Sequence, residues 1–248
     1  MSFKQIDKVF CMSLDTSVDR QKEFERRFPE LVKMTIFEWF ITTRDTENPE
    51  RGCYNSHRQV LQLGKSRGYK QIITLEDDVE LLVPWSECVE RINGMVYPVD
   101  WTIISIGYFP FVTKKIEGND TVVKISCAGG CYGYISNVDG LDIPPYKGIQ
   151  IDVLLFCPDK GKNYFLEQPL PNTYGAYPRM LLRSNSKTST IDPSHDLTGQ
   201  LQYNRHDVLH ISTQFNLSLF VIIVIILLVI SAICLGCYWH LHKALTVN

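Results

Sequence analysis

Apolar and polar positions alternate along this chain in blocks that read as elements. "KVFCMSL", Val9 to Leu14, is a short apolar run bounded by Asp15 and reads as a buried strand. "TSVDRQKEFERRF" opens on capping residues and places Phe24 and Phe28 four apart, which is helix patterning. "MTIFEWFIT" is rich in β-branched and aromatic residues and predicts a second strand. After the loop "TRDTENPERG", "SHRQVLQLGKSRGY" predicts a helix burying Val60, Leu61 and Leu63, with Gly68 near its end. "QIITL" then predicts a third strand. Further on, "PWSECVERINGMV" reads as a helix, "DWTIISIGYF" as a strand, and "TVVKISCAGGCYGYISN" as two strands around Gly129 and Gly130.

The first eighty or so residues therefore alternate strand, helix, strand, helix, strand. That order predicts an α/β fold: an open, mostly parallel, Rossmann-like sheet flanked by helices. Ligands of such sheets bind outside the carboxyl ends of the strands. Asp15 closes the first strand, and Glu76, Asp77 and Asp78 close the third, so the pattern brings these acids toward one crevice.

The far end of the chain has a different pattern. Leu217 to Trp239 carries no charge, and a bilayer needs roughly 20 such residues. Tyr238 and Trp239 suit an interfacial belt, and Lys243 follows. The reading is a transmembrane helix over 217–239 and a short tail, 240–248. The polar stretch 186–216, which holds His195, His206 and His210, reads as a linker, and 1–185 as the folded domain. The start lacks the basic and apolar regions of a signal peptide. The expected localisation is single-pass membrane through a C-terminal anchor, with the body cytosolic.

Composition narrows the classes. The formal net charge of −2 over 248 residues gives no basic surface for nucleic acid. The eight cysteines are scattered, with no finger-like spacing, so neither a structural zinc site nor a small disulfide scaffold is expected, and a reducing environment is the simpler reading. The sequons at Asn119 and Asn216 matter only for a lumenal domain.

The acidic cluster carries the chemistry. On a continuing strand, Glu76 and Asp78 share a face and Asp77 points away. Two carboxylates ~6–7 Å apart repel by roughly 2–3 kcal/mol at an effective dielectric near 20. A hard cation, Mg²⁺ or Mn²⁺, removes that cost and can neutralise a diphosphate. A solvated acidic turn capping the next segment is the plainer alternative.

The surrounding motifs resemble glycosyltransferase family 25, the lipopolysaccharide and collagen galactosyltransferase group. "VFCMSLDTSVDRQKEF" is similar to its opening, and "RGCYNSHRQVLQLGKSRGYKQIITLEDDVEL" to its central signature. "CAGGCYGYISNVDGL", "IQIDVLL" and "FLEQPLP" are looser matches, and the likeness spans Ile6 to Ser186. The resemblance implies a GT-A fold. It also implies metal-dependent transfer of a hexose from a UDP-sugar to an acceptor hydroxyl with inversion. The acceptor would be a glycan, a lipid-linked saccharide or a protein, as in glycan or lipopolysaccharide biosynthesis. Carried over by motif, Asp78 and Glu76 would hold the Mn²⁺ or Mg²⁺. Asp15, Arg20, His57, Glu76 and Asp77 would contact the donor, and Asp152 would be the catalytic base. Gly52 and Cys53 would serve backbone geometry and packing. Two other readings stand beside this one: a catalytically inactive GT-A-like membrane or virion binding protein, and a metal-dependent phosphohydrolase.

Overall fold

A computed structural model describes residues 2–157 and 171–183. The linker and membrane-span expectations, the three linker histidines and Asn216 lie outside the described residues. Among the described residues no helix is long and apolar enough to cross a membrane. All of them fall within one compact unit.

Strand β1 (Lys8–Leu14) is buried on both faces, as expected of a central strand of a covered parallel sheet. Its side chains alternate between two cores. Val9 and Cys11 pack with Phe24 of helix α1 (Val18–Arg27) and with Phe28, which ends it. Phe10 and Met12 pack with Tyr54, Val60 and Leu61 of helix α2 (Pro49–Ser66). Strand β2 (Phe37–Thr42) runs parallel to β1 on one side, and β3 (Gln71–Glu76) runs parallel to it on the other. In β3, Ile73 and Leu75 face the first core and Ile72 the second.

Helix α2 begins seven residues before the expected Ser56. The signal lies inside the stretch read as loop: Asn48 caps the helix by accepting from the Arg51 N–H at 2.9 Å, and Pro49 takes the first turn, where its missing N–H costs nothing. The helix closes on Gly68, whose φ of 72° lets Gly68 N–H and Tyr69 N–H reach back to the carbonyls of Lys65 and Gly64.

After β3 come a short strand β4 (Val79–Leu81), helix α3 (Trp85–Asn93), and the long strands β5 (Ile103–Ile116) and β6 (Asn119–Asn137). Helix α4 (Ile151–Phe156), β7 (Thr173–Ala176) and β8 (Leu181–Arg183) complete the described chain. The six-stranded sheet has the order β2-β1-β3-β6-β5-β7, and β4 and β8 form a separate antiparallel pair. Only β6 runs against the rest, so the sheet is mostly parallel and flanked by helices, as the alternation predicts.

Residues 121–137 are not two strands but one part of β6. Between the pairs Gly107↔Gly133 and Phe109↔Gly129 the register slips, so β6 bulges there, and Gly130 adopts a φ of 79°. The glycine pair marks a bulge rather than a turn, because β5 continues beside it to supply hydrogen bonds. Cys127 of β6 and Cys157 after α4 are joined by a disulfide, against the expectation of reduced cysteines.

Candidate functional site

The strand order places β2 and β3 on opposite sides of β1, so consecutive crossovers leave in opposite directions. Such a switch point opens a crevice at the strands' carboxyl ends. Ser13 and Asp15 lie on the β1 side of it and Glu76, Asp77 and Asp78 on the β3 side. The Ser13 hydroxyl donates to Asp77 Oδ2 at 2.6 Å and ties the two ends together.

Strand β3 stops at Glu76, and Asp77 and Asp78 form the turn into β4. The expected division, with Glu76 and Asp78 on one face, required the strand to continue. Instead Asp77 and Asp78 share one partner and Glu76 has another. Arg20 reaches Asp77 Oδ1 at 3.0 Å and Asp78 Oδ2 at 2.6 Å. Arg183, on β8, reaches the same Asp78 oxygen at 3.2 Å. Asp78 Oδ1 is buried and has no hydrogen-bond partner.

Two buried acids and the partly buried Glu76 against two guanidiniums leave negative charge in excess. Asp77, 7% exposed, is pushed up to about 6, because burial outweighs Arg20 and the Ser13 hydrogen bond. Asp78, 8% exposed, is also pushed up, by burial and then by the charge of Glu76, against Arg20 and Arg183. Glu76 goes the other way. Burial opposes its charge, but the facing His57 imidazole, Arg183 and Arg20 hold it below the usual range.

His57 is fully buried and lies on the opposite wall. Its Nδ1 is 2.8 Å from the Tyr134 hydroxyl, and its Nε2 is 3.5 Å from Glu76 Oε1. The structure thus turns His57 toward an acidic neighbour rather than into open space. Cys53, one turn before His57, is half-buried. Burial and the charges of Glu76, Asp152 and Asp78 push its thiol well up, which disfavours the thiolate nucleophile. A Cβ on Gly52 would come within 2.8 Å of the Asp45 side chain, so glycine there allows the loop before α2 to approach closely.

Asp152 lies in the first turn of α4. It accepts from Gly130 N–H at 3.3 Å and Val153 N–H at 2.8 Å. Tyr132 follows the glycine pair of the β6 bulge. Burial, then Glu76, push the Tyr132 phenol up to about 12, with Asp78 and Asp152 adding to this and Arg183 opposing. Asp152, Glu76, Asp78 and Arg183 are therefore all within electrostatic reach of one side chain. Asp15 stands apart, exposed on the rim, with Thr43 Oγ1 at 3.4 Å. Arg20 is turned inward onto protein carboxylates, so a phosphate has to compete for its fork.

Sequence reasoning misses Ser13, Tyr132, Tyr134 and Arg183. Arg183 follows the short apolar run "MLL", whose pairing with "VEL" no local signal announces. Glycines make room for that strand: a Cβ on Gly107 would lie 2.7 Å from Leu181 Cβ.

The fold and site together define a mixed α/β domain with a cluster of acids at a topological switch point. No family model and no curated protein matches the chain. Among solved structures it is similar to A197 from STIV, at 15% identity and a TM-score of 0.40, covering 74% of this chain and 96% of that one. It is also similar to an active-site mutant of LgtC, at 13% identity and a TM-score of 0.35, covering 73% of this chain and 88% of that one. Likenesses this remote leave the function to the residues themselves.

Proposed function

We propose that the domain is a metal-dependent glycosyltransferase of GT-A type, moving a hexose from a UDP-sugar to an acceptor hydroxyl with inversion. The observation that carries this reading is Asp78 Oδ1, a buried carboxylate oxygen without a partner at the switch-point crevice. An orphaned acceptor there costs ~1–3 kcal/mol or more unless a ligand satisfies it. An Mg²⁺ or Mn²⁺ ion suits that oxygen, with Glu76 beside it, and would supply charge to neutralise the donor diphosphate. Arg20 and Arg183, already at the acids, are placed to add positive charge to the same group. Asp77 orients the turn through Ser13 and Arg20, Asp15 offers an exposed acceptor for the donor's ribose or base, and His57 acts through Glu76. The acceptor oxygen attacks the anomeric carbon as the bond to the diphosphate breaks on the opposite face, and Asp152 takes the hydroxyl proton.

The test is UDP release by the solubilised full-length chain across a panel of UDP-sugars with Mn²⁺. Asp78→Asn is expected to lower turnover by about a hundredfold or more. Equal turnover by the two proteins would sink the assignment. A binding module without catalysis is the second reading. It is favoured by Arg20 and Arg183, which already answer the acids without any cation. Calorimetric donor binding with no released UDP would select it.

A further inference from the structure

We propose that Cys53, His57 and Glu76 form a binding site for a borderline-soft divalent cation of the zinc class. Helix α2 sets Cys53 and His57 four residues apart on one face, and β3 ends with Glu76 opposite them. One ligand atom from each, a sulfur, an imidazole nitrogen and a carboxylate oxygen, lies within 4.8 Å of the others. Bonds of 2.0–2.3 Å give a tetrahedral site with edges of roughly 3.5 Å, so small side-chain rotations close it.

A second observation points the same way. His57 is wholly buried, and its Nε2 has no hydrogen-bond partner. The 3.5 Å to Glu76 Oε1 is too long for a good bond. The ring's other nitrogen is held by Tyr134 at 2.8 Å, the kind of outer contact that orients a metal-bound histidine. A cation between Nε2, Sγ and the carboxylate satisfies the orphaned nitrogen directly.

The donor set selects the ion. Mg²⁺ and Ca²⁺ take oxygen ligands, whereas a mixture of thiolate, imidazole and carboxylate suits Zn²⁺. Three protein ligands leave a fourth position, and Cys53 and Glu76 are only partly buried, so that position faces the crevice. The site stands independently of sugar transfer. It shares Glu76 with the cation proposed at Asp78, but an oxygen-seeking ion does not engage Cys53.

The test is a Co²⁺ titration of the chelator-stripped, solubilised full-length chain. One equivalent should develop a thiolate-to-cobalt charge-transfer band, displaced by one equivalent of Zn²⁺. Cys53→Ser should abolish the band, and Tyr134→Phe should weaken binding by about 10–100-fold. Cys53 packs at the edge of the second core, and the unfolding midpoint of Cys53→Ser in chelator checks that the variant keeps the fold. Absence of the band overturns the site. So does a band that survives Cys53→Ser, since another thiol then holds the ion. A chain that releases no UDP but shows the Cys53-dependent band refutes sugar transfer and leaves this site intact.

Discussion

Two walls of one turn treat neighbouring carboxylates in opposite ways. On the α1 and β8 side, Asp77 and Asp78 meet permanent cations, Arg20 and Arg183, within 3.2 Å. On the α2 and β6 side, Glu76 meets a buried imidazole at 3.5 Å and a thiol, groups that carry no fixed charge. The first wall is tied by ion pairs that leave only Asp78 Oδ1 over; the second holds an unpartnered nitrogen and no ion pair to a guanidinium. Charge compensation built into the protein and charge compensation left to a ligand thus lie one residue apart. The strand ending at Glu76 is what separates them.

The largest effect should come from opening the first wall. Arg20→Met leaves two buried acids short of a partner and should cost about 3–5 kcal/mol in urea unfolding. If Asp77→Asn and Asp78→Asn added to it do not recover most of that loss, the ion pairs are not what closes this wall. Gly107→Ala should cost about 1–3 kcal/mol by pushing Leu181 out of place, and should carry Arg183 away from Asp78. An unchanged urea midpoint would mean that β8 is not seated as described.

A pH series sharpens the contrast. In chelator, the folded Asp77 carboxyl takes its proton at about 6, above its ordinary 3.8. The folded state then binds the proton more tightly than the unfolded state, so stability is lowest above pH 6 and rises as pH falls through it. The gain between pH 7 and 5 should be about 1 kcal/mol, and Asp77→Asn should flatten it. The smallest effect belongs to the second wall. Tyr134→Phe removes one hydrogen bond to His57 and should cost about 0.5–1.5 kcal/mol with no change in this slope. A change in slope would join the two walls into one titrating unit.

Much of the parallel half was legible because its signals are local. β1 and β3 read as buried strands because both faces are covered, which makes their apolar runs continuous. Phe24 and Phe28 mark α1 because a four-residue spacing stacks their rings, 4.4 Å apart, against the sheet. The start of α2 was missed although Asn48-Pro49 is itself a helix-start signal, since its polar neighbours read as loop. The glycine pair of β6 misled because a bulge and a turn use the same residues. What distinguishes them is whether a partner strand continues alongside.

The sequence by itself determined the order of the first five elements, the carboxyl-end position of Asp15 and of Glu76 to Asp78, and the four-residue spacing of Cys53 and His57. Periodicity and capping act over a few residues and can be read there. Only the tertiary structure decided which partner each acid meets. Arg183 lies 105 residues from Asp78, and Tyr134 lies 77 from His57. No local rule links positions so far apart; they meet because burying two apolar faces of one sheet folds distant strands over the same turn.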